Sequence, residues 1–593
     1  MTNFWRRYSE LAIALLALAS SAVSIVNWFT YDDRYVIELN PTMAAGLHHL
    51  WRVFAEPYWP RLYGGDGYRP LTILAFRLQD VFGGGIPLAF HAVNILLYAI
   101  VSVMVFVLAK RILPFWAAWL TGALFAVHPV HVEAVANVVG QSELWVAFFM
   151  VPAITLYLRD RMRGTLEART IAAILVLYAA ACFSKEHGVV LPAILAAAEV
   201  LFVREEHGSL RSRIAALRPF YLALAAIAIA FIAVRAVVLS DHGIGGFQPF
   251  TPFSSLHITT RDRILTAVTV VPQWVRLLLW PSHLAAEWGP PGIEIAQGFS
   301  ITQIPGALLL VAVLGLALAL WRTRPVISFG VAVLVAALLP SSNFILPAGI
   351  VLAERTLFLP SVGAMLVVGG ALEWIADAAR ARGTDMRRLT RLAATASALV
   401  LVAGAAKSWT RSEVWRDNDT LFANTVRDVP DSYRAHFMYG AWLFSEKKLR
   451  LGEEQYHRAL ALFPYDPSLS FNLAEEYRSL GLCGPAVPLY KWTYAVDPQF
   501  PMGHTEFSWC LLSLGRYAEA KQQALIAVHG GGELPRLRGM IYSADSAIAA
   551  DARKAAGRSV ALAGTPSKVP ESVQKTARKT RGGAASPRGK LLQ

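Results

Sequence analysis

The chain has 593 residues, of which 55% are hydrophobic and 16% are charged, and its formal net charge is +14 at pH 7. Soluble globular domains carry roughly 25% charged residues, so this composition excludes an ordinary soluble domain and indicates lipid as the main solvent. The basic excess lies in short loops between apolar runs and near the C-terminus, which is typical of membrane topology and disfavours nucleic-acid binding.

Apolar runs of helical length recur from the N-terminus to residue 409. A hydrocarbon core about 30 Å thick requires roughly 20 apolar residues in a helix. The runs therefore predict an all-α fold, a polytopic transmembrane helical bundle of about eleven spans within residues 1–409. The predicted spans are 10–29, 89–109, 112–127, 143–158, 170–184, 188–203, 218–239, 304–321, 326–340, 355–375 and 391–409.

The first apolar run has two interpretations. Arg6 and Arg7, followed by an apolar stretch with Ala17-Leu18-Ala19, resemble a cleavable signal peptide. The apolar character continues through Phe29, which is long enough to span a bilayer, so an uncleaved first span is favoured.

Basic residues orient the spans, because cytoplasmic loops carry an excess of Lys and Arg. The basic loops all fall on one side if the N-terminus is cytoplasmic. The C-terminal domain is then extracytoplasmic, in a bacterial periplasm or the lumen of the endoplasmic reticulum. The run 263–281 breaks this alternation and carries Arg263, Pro272 and Arg276, so we interpret it as an interfacial or re-entrant helix on the outer side.

An acidic pair, Asp32 and Asp33, follows the first span at the start of a large outer loop, 30–88. Polar groups at the outer ends of spans are costly and are candidates for function. A carboxylate there can act as a general base once a partly dry site raises its pKa. The alternative is a solvated loop or a helix cap. The same loop contains Arg69.

A second cluster contains His128, His131 and Glu133. The spacing of the two histidines and the nearby Glu suggests a metal site, but Pro129 disrupts the helical face that a zinc pair would share. No third ligand is evident, so hydrogen bonding to a polar substrate is favoured over a divalent metal.

Two further clusters pair a cation with an acid at predicted outer ends of spans. They are Lys185 with Glu186, and Arg355 with Glu354. Cations at the membrane surface suit a lipid-linked phosphate, which Arg can bind with two parallel hydrogen bonds. The alternative is an internal ion pair that neutralises both charges.

The long apolar runs end before a predicted linker, 410–429, and a repeat pattern follows it. Pro430, Pro464 and Pro498 recur at 34-residue intervals, which predicts about three tetratricopeptide (TPR) repeats over 430–545. Such arrays either bind a peptide in a concave groove or hold an assembly together. Residues 546–593 are rich in Lys and Arg and are predicted to be a disordered basic tail.

The three cysteines show neither CxxC nor metal-ligand spacing, so no disulfide framework is predicted. They are Cys182, Cys483 and Cys510.

In this order, the clusters resemble the transmembrane and tetratricopeptide-repeat-containing protein O-mannosyltransferases, membrane glycosyltransferases of the GT-C type. The similarity covers most of residues 1–530, and its most specific parts are HPVHVEAV and ERTLFLPSVG. The matching segments are YDDRYVIELNP (31–41), YRPLTILAFRL (68–78), FHAVNILLY (90–98), LFAVHPVHVEAVANVVGQSEL (124–144), SKEHGVVLP (184–192), WVRLLLWPSHLAAEW (274–288) and AERTLFLPSVG (353–363).

The resemblance implies a hexosyltransferase that moves a sugar, expected to be mannose, from a polyprenyl or dolichyl phosphate carrier to a protein Ser or Thr hydroxyl. It implies Asp32 or Asp33 as the catalytic base, with Asp33 slightly preferred, and phosphate binding by Arg69, Lys185 and Arg355. The remaining predicted residues would line the substrate site: His128, His131, Glu133, Glu186 and Glu354. The partners implied are the bilayer, the lipid-linked sugar and an acceptor polypeptide held by the repeats.

Two other functions remain open from the sequence. A transferase that modifies a glycolipid or the cell wall would share the membrane site, and deletion of 430–593 would leave its activity intact. A non-catalytic assembly protein would use its repeats to recruit partners, and its acidic pair could be replaced freely.

Overall fold

A computed structural model describes residues 3–43, 46–60, 67–203, 206, 208–240, 258–345, 347–500, 502–530 and 534–563. Within these residues the chain forms helices and two isolated β-bridges, and it forms no strand. The predicted all-α fold of a multi-pass membrane protein is confirmed.

Thirteen helices of 12 or more residues make up most of the N-terminal part of the described chain. They are α1 (Asn3–Ser21), α2 (Pro70–Gly83), α3 (Pro87–Ile112), α4 (Phe115–Ala126), α5 (Gln141–Arg161), α6 (Ala168–Ser184), α7 (Leu191–Phe202), α8 (Leu210–Ser240), α9 (Thr260–Leu279), α10 (Ile304–Leu320), α11 (Pro325–Leu338), α12 (Phe358–Ala381) and α13 (Met386–Val414). Every predicted span coincides with one of these helices. Ile13 and Ala17 of α1 are fully buried in the core.

The number of helices that can cross a bilayer is lower than the predicted eleven. Seven described helices are long and apolar enough, or eight if the bent pair Phe115–Ala126 and Pro129–Ala136 counts as one span. The seven are Arg6–Val26, Pro87–Ile112, Val138–Arg161, Leu210–Leu239, Ile301–Leu320, Glu354–Ala381 and Met386–Val414. The shorter helices rise only about 1.5 Å per residue, so α7, with 12 residues, falls short of a core about 30 Å thick. Helix α9, the predicted interfacial helix, is not among the seven.

The close approach of α11 and α12 depends on two glycines. A Cβ on Gly330 would lie 2.6 Å from the carbonyl oxygen of Gly363, and a Cβ on Gly363 would collide with the backbone of α11 in return. Small residues allow helix backbones to approach in this way. The contact lies in the second turn of α12, which directly follows the turn Glu354–Leu357.

The C-terminal part forms the helix pairs that the repeat period predicts. The helices are α14 (Asn418–Asp428), α15 (Tyr433–Ser445), α16 (Leu449–Leu462), α17 (Pro467–Ser479), α18 (Cys483–Val496), α19 (His504–Ser513), α20 (Tyr517–His529) and α21 (Leu534–Ala563). In the first repeat, Gly440 faces the buried ring of Tyr456, so that a small residue makes room for an aromatic one.

The described chain divides into two compact units, residues 1–476 with 489–501 and residues 477–488 with 502–593. In the second unit a disulfide joins Cys483 to Cys510, whose Cα atoms are 5.0 Å apart. The expectation of no disulfide framework is therefore wrong. The two cysteines are 27 residues apart and become neighbours only through tertiary packing.

Two predicted boundaries also differ from the structure. The predicted linker, 410–429, contains the end of α13 and all of α14. Helix α21 reaches Ala563, so residues 546–563 are helical where disorder was predicted. The rest of the predicted tail lies outside the described residues.

Candidate active site

Three segments that are distant in sequence meet around the guanidinium of Arg355. Arg355 lies in the short turn Glu354–Leu357 that opens α12, and Glu133 lies on the one-turn helix Val132–Ala136. The carboxylate of Glu133 forms an ion pair with the Arg355 side chain and accepts the Arg355 backbone N–H at 2.8 Å. A carboxylate oxygen of Asp32 lies 3.8 Å from the outer nitrogen of the same guanidinium. The structure thus brings a candidate base beside a candidate phosphate ligand.

The two aspartates have different environments. The Asp33 carboxylate accepts backbone N–H groups from Thr30 at 3.2 Å, Val138 at 3.1 Å and Val139 at 2.8 Å, and its side chain is fully buried. Asp32 keeps 23% of its side chain exposed. Asp33 therefore ties the loop after α1 to the segment before α5, whereas Asp32 faces the site. The geometry favours Asp32 as the base, in contrast to the slight preference for Asp33 from the sequence.

Arg69 pairs with Glu186 across two loops. Its Nε lies 3.1 Å from a Glu186 carboxylate oxygen, and its guanidinium stacks 4.5 Å from the centroid of the Tyr58 ring. The backbone N–H of Tyr68 also donates to Glu186, at 3.4 Å. Both members of the ion pair are partly exposed, so a ligand can reach them.

Lys185 is more enclosed than the two arginines. Its Nζ forms an ion pair with Glu143, and both side chains are buried. The sequence-based site did not include Glu143, although it lies in the segment that carries the resemblance. Taken together, every predicted cation of the site already has a carboxylate partner.

The pKa shifts of Asp32 and Lys185 have causes in common with their neighbours, so these groups share one electrostatic environment. Burial raises the pKa of Asp32 to about 6, Arg355 opposes that rise, and Glu133 adds to it. Burial also lowers the pKa of Lys185, as do the neighbouring charges of Arg69 and Arg355, whereas Glu143 raises it. Because Arg69 and Arg355 both act on Lys185, the three cations and their carboxylate partners form one cluster of interacting charges.

The predicted lining residue Glu186 stays ionised in this cluster. Burial would raise its pKa, but Arg69 and Lys185 hold the pKa at about 2. A carboxylate that remains charged at neutral pH can orient Arg69 toward a ligand.

The histidines of the second cluster make internal hydrogen bonds. The Nε2 of His128 lies 3.0 Å from the carbonyl oxygen of Leu278, and the ring of His131 bridges Tyr98 at 3.1 Å and Ser361 at 2.8 Å. Their nitrogens therefore face different partners. Within the part of the chain that the structure describes, no three His, Cys, Asp or Glu side chains are arranged to hold a metal ion. The two histidines therefore make hydrogen bonds within the protein.

Glu354 is buried and forms hydrogen bonds within the protein. Its carboxylate accepts the backbone N–H of Ala285 at 2.6 Å and the indole N–H of Trp288 at 3.3 Å. These bonds attach the segment 281–300 to the start of α12. Glu354 thus positions that segment, and it does not line the open face on which Asp32 and Arg355 meet.

The structure adds a carboxylate that the sequence-based site lacks. Glu287 accepts the hydroxyl of Tyr31 at 3.1 Å and pairs with Arg434 of the first repeat at 2.9 Å. Glu287 lies in one of the segments that carry the resemblance, which was a usable signal. Nothing in the repeat pattern distinguishes Arg434 from other charged positions of a TPR helix.

This arrangement can remove a proton from a hydroxyl and stabilise a phosphate leaving group. Asp32 is a partly exposed carboxylate whose raised pKa suits general-base catalysis near neutral pH. The arginines present N–H groups whose planar geometry matches a phosphate. Asp32 and Arg355 are both partly exposed.

The chain is similar to several protein O-mannosyl-transferases. It is 25% identical to protein O-mannosyl-transferase TMTC3 of Mus musculus over 536 residues, which cover 84% of this chain and 56% of the relative. It is 26% identical to TMTC1 of Homo sapiens, with 78% and 56% covered, and 26% identical to TMTC4 of Homo sapiens, with 74% and 63% covered. The chain thus spans little more than half the length of the relatives it matches first. No family model matches it, and no solved structure matches it significantly.

Proposed function

Because this chain is a relative of the transmembrane and tetratricopeptide-repeat-containing protein O-mannosyltransferases, we propose that it is a membrane glycosyltransferase that acts on proteins. Its donor is a sugar, mannose by the names of its relatives, carried on a polyprenyl phosphate. Its acceptor is a Ser or Thr hydroxyl on the extracytoplasmic side of the membrane.

The observation that carries this proposal is the contact between Asp32 and Arg355. A carboxylate oxygen of Asp32 and a guanidinium nitrogen of Arg355 lie 3.8 Å apart, and the carboxylate of Glu133 forms an ion pair with the same guanidinium. The reaction needs a base on the acceptor side of the sugar and positive charge on the phosphate side. Asp32 and Arg355 are both partly exposed, so an acceptor hydroxyl and a donor phosphate can reach them.

The proposed reaction is a displacement at the anomeric carbon of the sugar. The acceptor oxygen attacks the anomeric carbon while the bond between that carbon and the phosphate oxygen breaks. The hydroxyl proton passes to Asp32, and the polyprenyl phosphate leaves with the bonding electrons. Arg355 and Arg69 stabilise the charge that develops on the phosphate, and Lys185 contributes through its field from a buried position. The resemblance to GT-C enzymes favours inversion at the anomeric carbon.

The disulfide supports an extracytoplasmic site. Disulfides persist in oxidising compartments and are rare in the reducing cytoplasm, so the bond between Cys483 and Cys510 suits repeats in a periplasm or lumen. This agrees with the orientation that the basic loops predict. Nucleotide sugars are not expected on that side, whereas a lipid carrier delivers its sugar there.

The test uses the full chain, purified in lipid nanodiscs, with radiolabelled polyprenyl-phosphate mannose and a Ser/Thr-rich peptide. We expect Asp32→Asn to lower transfer by a factor on the order of 100 or more, because removal of a general base costs roughly 10²–10⁴-fold. Asp419→Asn, which neutralises an exposed acid elsewhere in the same unit, is the matched control and should transfer at the wild-type rate.

Two results would overturn the proposal. One is full turnover by Asp32→Asn. The other is an absence of transfer to the peptide by wild-type protein that transfers mannose to an added glycolipid, which would favour the glycolipid-modifying class instead.

A further inference from the structure

The segment 281–300 connects the first repeat to the candidate base. On one side, Glu287 accepts the hydroxyl of Tyr31, the residue before Asp32, at 3.1 Å. On the other side, Glu287 accepts Nε of Arg434, in the first turn of α15, at 2.9 Å. Glu287 is almost completely buried, so this is an internal link and not a pair of surface charges.

Tyr31 is held in an unusual position. Its φ is +56°, a left-handed conformation that is uncommon for a residue other than glycine. Its backbone N–H donates to the side chain of Asn418 at 2.8 Å, and its ring packs edge-on against Trp415 with centroids 6.2 Å apart. The bond from its hydroxyl to Glu287 completes three attachments. Such a conformation persists only where the surroundings impose it.

The first repeat is joined to the segment 281–300 by backbone contacts as well. The N–H of Tyr433 donates to the carbonyl oxygen of Pro290 at 3.3 Å, and Ser432 forms an antiparallel bridge with Pro291. These contacts place Arg434 directly beside Glu287. Because Glu354 anchors the other part of the same segment, the repeat is connected to both Asp32 and the start of α12.

We propose that Arg434 and Glu287 are positioning residues that set the geometry of Asp32 through Tyr31, so that the first repeat is a part of the catalytic unit. The inference rests on the proposed transferase function and goes beyond it, because the repeats then do more than hold an acceptor. Neither residue contacts the reacting atoms.

The charges around Asp32 provide a readout that a purely structural role would not move. The charged and titratable groups that face Asp32 are Arg355, Glu133, Glu287, Arg434, Tyr31, Asp33 and Tyr58. Among them, Glu287 raises the pKa of Asp32 and Arg434 lowers it, because a negative neighbour disfavours the carboxylate and a positive one favours it.

If Arg434 positions Asp32, deletion of the repeats no longer tests whether the acceptor is a protein. Deletion of 430–593 removes Arg434 along with the rest of the repeats, so it disturbs the Tyr31 link whatever the acceptor is. Loss of activity on truncation would therefore not identify a protein acceptor. Point substitutions at Arg434 and Glu287 are required.

The experiment measures the pH dependence of mannose transfer in nanodiscs by full-length wild-type, Arg434→Gln and Glu287→Gln proteins, with the same donor and peptide as above. Wild-type activity should rise through a midpoint at about 6, because the base must be ionised. We expect Arg434→Gln to move this midpoint to higher pH and Glu287→Gln to move it to lower pH. Both should lower kcat by roughly 10- to 100-fold with a smaller change in KM, since a misplaced catalytic group costs about this much.

Two further variants make the result specific. Lys448→Gln neutralises another cation of the same repeat, which pairs with the exposed Asp419 at 3.2 Å, and it should leave both the rate and the midpoint at wild-type values. Arg434→Lys retains the positive charge, so it should restore the wild-type midpoint while part of the loss in kcat remains.

The outcomes separate this inference from the proposed function. If wild-type protein transfers mannose and Asp32→Asn does not, yet Arg434→Gln and Glu287→Gln behave like Lys448→Gln, the positioning role is overturned and the transferase stands. Equal shifts of the midpoint in the same direction would also overturn it. If wild-type protein transfers no sugar to any acceptor, both fall.

Discussion

Among single residues, the neighbouring carboxylates of Asp32 and Asp33 differ in their contacts, because their side chains point in different directions from the loop after α1. Asp33 points inward and accepts three backbone N–H groups, while Asp32 points to the partly exposed face beside Arg355. A buried acceptor with this many donors is a structural element, since each N–H would otherwise lack a partner.

This difference gives a prediction about stability. Asp33→Asn places an amide N–H₂ against backbone N–H groups of Val138 or Thr30, which leaves buried donors without an acceptor. We expect the free energy of unfolding to fall by about 1–3 kcal/mol, visible as a lower apparent Tm in detergent. Asp32→Asn should lose activity at nearly unchanged Tm, because Glu133 still neutralises Arg355. The reverse pattern would make Asp33 the base.

The cations of the site illustrate how ion pairs and ligand binding compete. Each of Arg69, Lys185 and Arg355 has a carboxylate partner, so none is an isolated buried charge. The alternative interpretation, an internal pair between Glu354 and Arg355, is not found in the structure, because Arg355 pairs with Glu133. The partners in these ion pairs are brought together by tertiary packing and are not neighbours in the sequence.

At the scale of helices, the position of Arg355 depends on how closely α11 and α12 approach. Gly330 and Gly363 allow backbone contact between the two helices, and any Cβ at either position meets the opposite backbone. The start of α12 therefore has little freedom to shift relative to the core. Packing of this kind transmits a change at Gly363 to the turn that carries Arg355.

Gly363→Ala should consequently destabilise the protein by about 1–3 kcal/mol, the usual cost of overpacking, and it should reduce transfer activity as well. The matched control is Gly315→Ala in α10, where an added Cβ meets nothing within 4 Å. That substitution should be neutral or slightly stabilising, because Ala is the better helix former by about 1 kcal/mol. Thermal unfolding of both variants in the same detergent compares them. Equal apparent Tm values would contradict the packing argument.

At the scale of the whole molecule, the arrangement of the chain in the membrane remains a prediction that the disulfide can test. If the repeats are extracytoplasmic, Cys483 and Cys510 are oxidised in the native protein and only Cys182 has a free thiol. Alkylation in denaturant without reductant, followed by mass spectrometry, should label one cysteine of three. Labelling of all three in protein from freshly alkylated cells would place the repeats in the cytoplasm.

The bond also contributes to the stability of the second unit. Closing a loop of this length stabilises a fold by about 2–4 kcal/mol in the chain-entropy view. The paired variant Cys483→Ser with Cys510→Ser should therefore be cleaved faster by a protease between residues 502 and 563, with the first unit unaffected. Cleavage at the wild-type rate would show that the bond adds little.

Features that depend on local composition and period could be predicted from the amino-acid sequence. Apolar length located a helix at every predicted span, and the 34-residue period located the helix pairs of the repeats, because hydrophobic burial and close helix packing impose these patterns on any chain. The order of the polar clusters was enough to suggest a family. The predicted number of spans exceeded the number of long apolar helices, because a short apolar helix has the same composition whether or not it crosses a bilayer.

The contacts between side chains of the site could not be predicted in this way, because they form when the helices pack. The burial of Asp33, the pairing of Arg355 with Glu133, the link from Tyr31 through Glu287 to Arg434 and the bond between Cys483 and Cys510 all join residues far apart in the chain. Such contacts depend on the packing of helices against one another and leave no periodic trace in the sequence. The site is therefore a property of the packed bundle, and its residues could be proposed from the sequence but not assigned their roles.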